Sequence, residues 1–344
     1  MARHLRLITA LLTLGALTVT ACGGTSSDGS TAPPEGDGSN PRIVVTTSIL
    51  GDVTRNVVGD LATVEVIIPA DTDPHDFEPS AQQAAELRDA DLIIANGLLL
   101  EEGLLATLES AEADGVTLLY VGDVVDPLPW NEEGHSEGEG GGAVATPAAF
   151  TDGDEEGHSD EESHDDGEYD PHFWFDPVRV STATGAIAEA VAQNTGLNAD
   201  TLNRQAAVYQ AQLAELDTEL EAQFATIPAE RRLLVTDHDA FGYLADRYGF
   251  EILGTVYPSG SELAEPSAGD LAALAELITE TGVPAIFSEN IASPELADAL
   301  AAEVGNEVAV VELFSDSVGG GDSGAATYVA FMRTNAERIT TALG

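Results

Sequence analysis

The stretch Tyr169-Asp170-Pro171-His172-Phe173-Trp174-Phe175-Asp176-Pro177 lies near the middle of the chain, between two runs of alternating strands and helices. It holds one histidine, with acidic residues and prolines on both sides. Pro171 and Pro177 stiffen the backbone around the imidazole. Phe173, Trp174 and Phe175 can pack the segment into a core. A rigidly held imidazole whose second nitrogen is hydrogen-bonded makes a good zinc ligand. His172 is therefore a candidate metal ligand. The plainer reading of the same residues is a buried loop with one satisfied histidine.

Upstream, strands and helices alternate from Arg42. Ile43-Val44-Val45 reads as a strand, followed by a helix over about 49–58. Val64-Glu65-Val66-Ile67-Ile68 is a second strand, ended by Pro69. A loop then carries Asp73-Pro74-His75-Asp76-Phe77-Glu78-Pro79. Ser80 is placed to cap a helix running to about Ala90. Leu92-Ile93-Ile94-Ala95 is a strand, a helix spans about 101–113, and Val116-Thr117-Leu118-Leu119-Tyr120-Val121 is another strand. Short apolar strands separated by helices indicate a parallel sheet covered on both faces.

Downstream, a helix over about 178–194 precedes a longer one starting at Asn198-Ala199-Asp200. Leu202, Ala206, Tyr209, Leu213, Leu216, Leu220 and Phe224 recur at steps of three and four, giving one apolar stripe. Roughly 27 helical residues span about 40 Å, the height of two domains. A second α/β unit follows Pro228. Its strands are Leu233-Leu234-Val235-Thr236, Ile252-Leu253-Gly254-Thr255-Val256, Ala285-Ile286-Phe287 and Val308-Ala309-Val310-Val311-Glu312-Leu313. Helices are expected over about 240–248, 268–281, 294–304 and 326–342.

The chain has 344 residues, 43% of them hydrophobic, enough for two domains with a substantial core. Net charge is −49, and all 12 basic residues are arginine. Such a surface repels phosphates and excludes nucleic-acid binding. Most of the acids lie outside any motif, so solubility or life in high salt accounts for them. Fourteen acidic residues and no basic ones fall between Glu132 and Glu168, together with His135, His158 and His164. That composition builds no packed core, so 131–169 is expected to be a disordered His/acidic loop.

The single cysteine, Cys22, excludes an intrachain disulfide and a thiolate zinc cluster. Arg3 and Arg6 precede an apolar run from Leu7 to Val19, too short and too early for a spanning helix and suited to a secretory signal over 1–21. The run ends Val19-Thr20-Ala21-Cys22-Gly23, which resembles a bacterial lipobox. The resemblance implies cleavage before Cys22 and lipidation of its thiol, which would anchor the chain to the outer face of the cell membrane. Residues 22–41 form a flexible tether of Gly, Ser, Thr, Pro and Asp.

Of seven histidines, His4 leaves with the signal and three lie in the acidic loop. His75, His172 and His238 remain, two of them expected directly after strands. Ligands of open α/β sheets gather at the carboxyl ends of strands. Asp316 and Glu289 also follow strands. Three imidazoles and a carboxylate match the four-coordinate set that zinc accepts.

With these residues the chain resembles the solute-binding lipoproteins of zinc and manganese ABC importers. The likeness is carried by Ile43-Val44-Val45-Thr46-Thr47 with Gly59-Asp60, by the two Asp-Pro-His motifs at 73–75 and 170–172, and by Ala90-Asp91-Leu92-Ile93-Ile94-Ala95-Asn96-Gly97-Leu98. His238-Asp239-Ala240-Phe241-Gly242-Tyr243, Phe314-Ser315-Asp316-Ser317, and Tyr328, Met332 and Asn335 continue it through the second half. The resemblance implies two α/β lobes, 42–197 and 228–344, joined by a long helix within 198–227, with the metal in the cleft between them. It implies His75, His172, His238 and Asp316 as ligands, with Glu289 as the competing carboxylate. Asp76, Asp170, Asp237 and Asp239 are read as solvated or as supporting the ligands. One departure is Glu102-Gly103, where the family usually has an aromatic soon after Glu101.

His238 stands where manganese-binding members tend to have glutamate, so Zn2+ is expected, with Mn2+ as the alternative; zinc also binds imidazole more tightly. The implied function is capture of zinc and delivery to an ABC permease, by a monomer. The loop histidines His135, His158 and His164 are candidates for loose capture ahead of the cleft. Neutral imidazole is needed for binding, so affinity is expected to weaken below about pH 6.5. The rivals are a secreted zinc hydrolase, for which no His-Glu-x-x-His helix or nucleophile motif is found, and a surface adhesin.

Overall fold

Residues 40–130, 167–257, 266–305 and 308–344 are described by the structure, a computed structural model. The expected signal, Cys22, all of the expected tether but Asn40 and Pro41, and the loop histidines His135, His158 and His164 lie outside them. Four short strands form the first sheet: β1 (Arg42–Val45), β2 (Thr63–Val66), β3 (Leu92–Ala95) and β4 (Leu118–Tyr120). They are parallel, in the order β2-β1-β3-β4. The second sheet repeats this arrangement with β5 (Leu233–Thr236), β6 (Glu251–Thr255), β7 (Ala285–Glu289) and β8 (Ala309–Leu313), in the order β6-β5-β7-β8. Each sheet therefore reverses its direction of growth beside its first strand. In open parallel sheets that switch point opens a crevice at the carboxyl ends of the strands.

The first lobe carries α1 (Ser48–Val58), α2 (Ala81–Arg88) and α3 (Leu105–Ala113). The second carries α6 (Gly242–Tyr248), α7 (Ala268–Thr281), α8 (Glu295–Val304) and α9 (Tyr328–Leu343). Between them run α4 (Pro177–Thr195) and the linking helix α5 (Ala199–Phe224). The starts are chemically marked. Asp176 accepts the Val178 N–H ahead of Pro177, Asn198 accepts the Thr201 N–H, and Ser80 forms a reciprocal cap with Gln83. In α5, all seven residues of the expected stripe are buried. The helix packs on α4, α1 and α9.

The central strands β1 and β3 are apolar on both faces because both faces are covered. Ile43, Val45 and Ile94 point into a central core, while Val44, Ile93 and Ala95 point into an outer one. The central core continues through Phe173, Trp174 and Phe175, the α5 stripe and Leu234, Phe287, Phe331 and Ile339. It belongs to both lobes, so the lobes are joined by packing as well as by chain.

Three local expectations change. The helix expected from 101 begins at Leu105. Glu101 is buried and accepts the Asn96 and Gly97 N–H groups at 2.7 and 3.1 Å, which holds the chain in a turn ahead of the helix. Of the loop expected to be disordered over 131–169, residues 167–169 are described, and the last two of them are bonded in place. Pro129 pairs antiparallel with Tyr169, and the Trp130 N–H donates to Glu168 O at 3.4 Å. Lastly, β2 ends at Val66, so His75 lies within the β2–α2 loop rather than directly after a strand.

Candidate metal centre

Each candidate ligand reaches the cleft by a different device. His172 sits at the head of a tight helical turn, Phe173–Phe175, whose three aromatics are buried. Trp174 Nε1–H donates to Ser315 O at 2.9 Å and Tyr328 O–H donates to Trp174 O at 2.7 Å, so this turn is tied to the second lobe. His238 comes two residues after β5, where Thr236 Oγ1–H donates to its carbonyl at 2.8 Å. Asp316 follows β8. His75 is placed by its loop, and its backbone N–H donates to Asp73 Oδ1 at 2.8 Å.

The four side chains converge. One ligand atom from each of His75, His172, His238 and Asp316 lies within 4.8 Å of all the others. His75 Nε2 and His172 Nε2 are 3.3 Å apart. Asp316 faces two of the imidazoles, with Oδ1 at 3.5 Å from His172 Nε2 and Oδ2 at 3.3 Å from His238 Nε2. His172, His238 and Asp316 are buried, and His75 is half-buried.

Carboxylates behind the rings set their orientation. Asp170 Oδ1 lies 2.8 Å from His172 Nδ1 and also accepts the His172 backbone N–H at 2.8 Å. Glu289 Oε1 lies 2.9 Å from His238 Nδ1 and accepts that residue's N–H at 3.1 Å. Asp237 in turn accepts the Glu289 N–H at 2.9 Å. With the ring protons on Nδ1, both Nε2 lone pairs aim at the cluster. Lone pairs and a carboxylate converging in a buried space call for a cation, and nitrogen-rich donors at this spacing suit a transition metal.

The electrostatics agree. Burial, then the neighbouring His172 and His238, holds His75 well below the usual imidazole value. Burial and then His238 do the same for His172. Both imidazoles are thus held neutral and ready to ligate. Burial pushes the Asp170 carboxyl up to about 8 and that of Asp237 up to about 7. Burial works to raise Glu289 as well, but the charge and hydrogen bonds of His238 hold it below its usual range.

A family model described as "Zinc-uptake complex component A periplasmic" matches residues 43–342. The chain belongs to this family. Among members of the zinc-uptake component A family, it is 31% identical to the zinc-binding protein TroA of Treponema pallidum, covering 88% of this chain and 89% of that one. It is 28% identical to the manganese-binding lipoprotein MntA of Halalkalibacterium halodurans, over 89% and 90% of the two chains. The iron-binding protein YfeA of Yersinia pestis is 27% identical, over 88% and 86%. The solved structure of the periplasmic zinc-binding protein TroA from Treponema pallidum superposes with a TM-score of 0.74 at 29% identity, covering 89% of this chain and all of that one. The two parallel-sheet lobes with a long linking helix are the fold of that protein. Members of this family are metal-binding solute-binding proteins and not enzymes, so the hydrolase alternative falls.

Of the carboxylates considered beforehand, Asp316 joins the imidazoles, whereas Glu289 is turned to the far side of His238. Asp76 is exposed. Sequence reasoning treated Glu101 and Asn96 only as landmarks, yet they support the site. Asn96, its backbone held by Glu101, donates from Nδ2 to Pro171 O at 3.1 Å, directly before His172. An acidic residue five positions after Asn-Gly-Leu's asparagine was visible, but nothing in the sequence marked it as buried. Tyr243 also supports the site. Its O–H donates to Asp170 O at 2.8 Å. Beside it Gly242 is required, because a Cβ there would stand 2.6 Å from Asp170 Oδ2.

Proposed function

We propose that this chain is the extracytoplasmic solute-binding component of an ABC importer, that it captures Zn2+ through His75, His172, His238 and Asp316, and that it delivers the ion to a membrane permease. The convergence of three imidazoles and one carboxylate within 4.8 Å carries the reading. Two ligands come from each lobe, 42–197 and 228–344, so capture and hand-over are coupled to the interface between them. Imidazole donors place zinc above manganese in affinity. A lipidated Cys22 would simply hold the chain at the outer face of the membrane, as the lipoprotein names of relatives support. No helix among the described residues is long and apolar enough to cross a membrane.

The test is metal analysis of the purified tag-free protein, followed by competition titration of zinc and manganese. Stoichiometric zinc, lost in His172→Ala, is the expected outcome. Tighter retention of manganese would favour the second reading, a manganese carrier. That reading draws on Asp316 presenting one oxygen to each of two imidazoles, which allows two-oxygen coordination.

A further inference from the structure

Asp71 lies four residues before His75 on the β2–α2 loop. Its φ is 58°, in the left-handed region that favours glycine. Its carboxylate reaches across to the second lobe. Oδ1 accepts from Asn290 Nδ2 at 3.2 Å, and Oδ2 accepts the Gly320 N–H at 3.0 Å. Its own N–H donates to Ser317 Oγ at 2.7 Å. Asn290 uses its other end to accept the Ser315 N–H at 3.3 Å. Asp71 is therefore bonded to the residues on both sides of Asp316, to Ser317 directly and to Ser315 by way of Asn290. The second lobe is shaped for this contact, since a Cβ on Gly320 would lie 2.9 Å from Asp71 Oδ2.

We propose that Asp71 is a positioning residue that locks the His75 loop to the Asp316 loop and so sets how slowly bound metal leaves the cleft. The inference rests on reading the four side chains as a metal site. Its logic is mechanical. The two lobes share a continuous core, so separating His75 from Asp316 falls to the loops that carry them. Those loops meet at Asp71, and its bonds must break before the ligands can part. A left-handed backbone is tolerated by aspartate better than by most residues. It aims the side chain across the cleft, which a glycine could not use.

The experiment measures zinc release from the loaded protein by stopped-flow chelator competition. Asp71→Gly keeps the left-handed backbone at no steric cost and removes the carboxylate. Release should quicken about tenfold, the size of one or two partly exposed hydrogen bonds. Asp71→Asn retains one acceptor oxygen and should fall between. Gly320→Ala displaces the carboxylate from the opposite side and should resemble Asp71→Gly. The association rate and the unfolding midpoint of the metal-free protein should stay near wild type, because relief of the left-handed backbone offsets the lost bonds. A release rate unchanged in Asp71→Gly, or a lowered midpoint without faster release, overturns the lock. Should the wild type hold zinc no better than His172→Ala and Asp316→Ala, the metal site itself falls and the lock with it.

Discussion

Glu289→Gln separates a ligand from a group that supports one. Glu289 is buried and accepts two N–H groups of His238, at 2.9 Å from Nδ1 and 3.1 Å from the backbone. Glutamine keeps the shape and one acceptor oxygen but loses the charge. Removing an orienting carboxylate behind a metal-bound imidazole weakens binding by roughly 10–100-fold. Exchanging a charge-assisted bond for a neutral one about halves its strength, which points to the lower end, near tenfold or about 1.4 kcal/mol. The companion change Asp316→Asn touches the donor set itself and should cost far more. Competition against a chromogenic chelator at pH 7.5 gives both affinities. The stabilisation by saturating metal should drop by the same ~1.4 kcal/mol in Glu289→Gln, since it follows the logarithm of affinity. If Glu289→Gln abolishes binding while Asp316→Asn spares it, the two roles are reversed and the reasoning from ring orientation is wrong.

Four further outcomes follow from the same structure. His75 and His172 have values below the unfolded 6.5, so the folded metal-free protein binds fewer protons there than the unfolded chain. The imidazole contribution is fully present above that pH and falls on acidification by up to about 1.4 kcal/mol per pH unit for each ring, while the raised carboxyls of Asp170 and Asp237 oppose it over the same range; a His75→Gln variant whose urea midpoints follow the same pH course as the wild type's would contradict this. Both tryptophans of the chain flank His172, with ring centroids 5.9 Å away for Trp130 and 5.2 Å for Trp174. Saturating zinc should therefore change intrinsic emission, and Trp130→Phe should reduce the change; an emission spectrum indifferent to metal argues against a site at His172. Deleting 132–168 should slow zinc capture from dilute solution and leave equilibrium affinity nearly intact, and equal capture rates would leave His135, His158 and His164 without that role. Cys22→Ser should release the chain from membranes into the medium, whereas continued sedimentation with membranes would rule out the lipid anchor.

Periodicity and punctuation settled much of the architecture before any coordinates. The apolar strands Ile43–Val45, Leu92–Ala95 and Leu233–Thr236, the α5 stripe, and the capping residues Ser80, Asp176 and Asn198 are all local signals, because strand alternation, helical spacing and capping act over a few residues. The three histidines outside both the expected signal and the acidic loop could be singled out by elimination. Which groups would meet could not be read that way. Asp316 follows β8 and Glu289 ends β7, neighbouring strands of one sheet, and only the crossing of the chain sends one to the Nε2 side of His238 and the other to Nδ1. The same holds for Glu101, Asn96 and Asp71. Asn96 and Asp71 owe their roles to partners tens or hundreds of residues away, and Glu101 acts on nearby N–H groups only because the fold buries it; contacts and burial set at that range leave no periodic trace in the sequence.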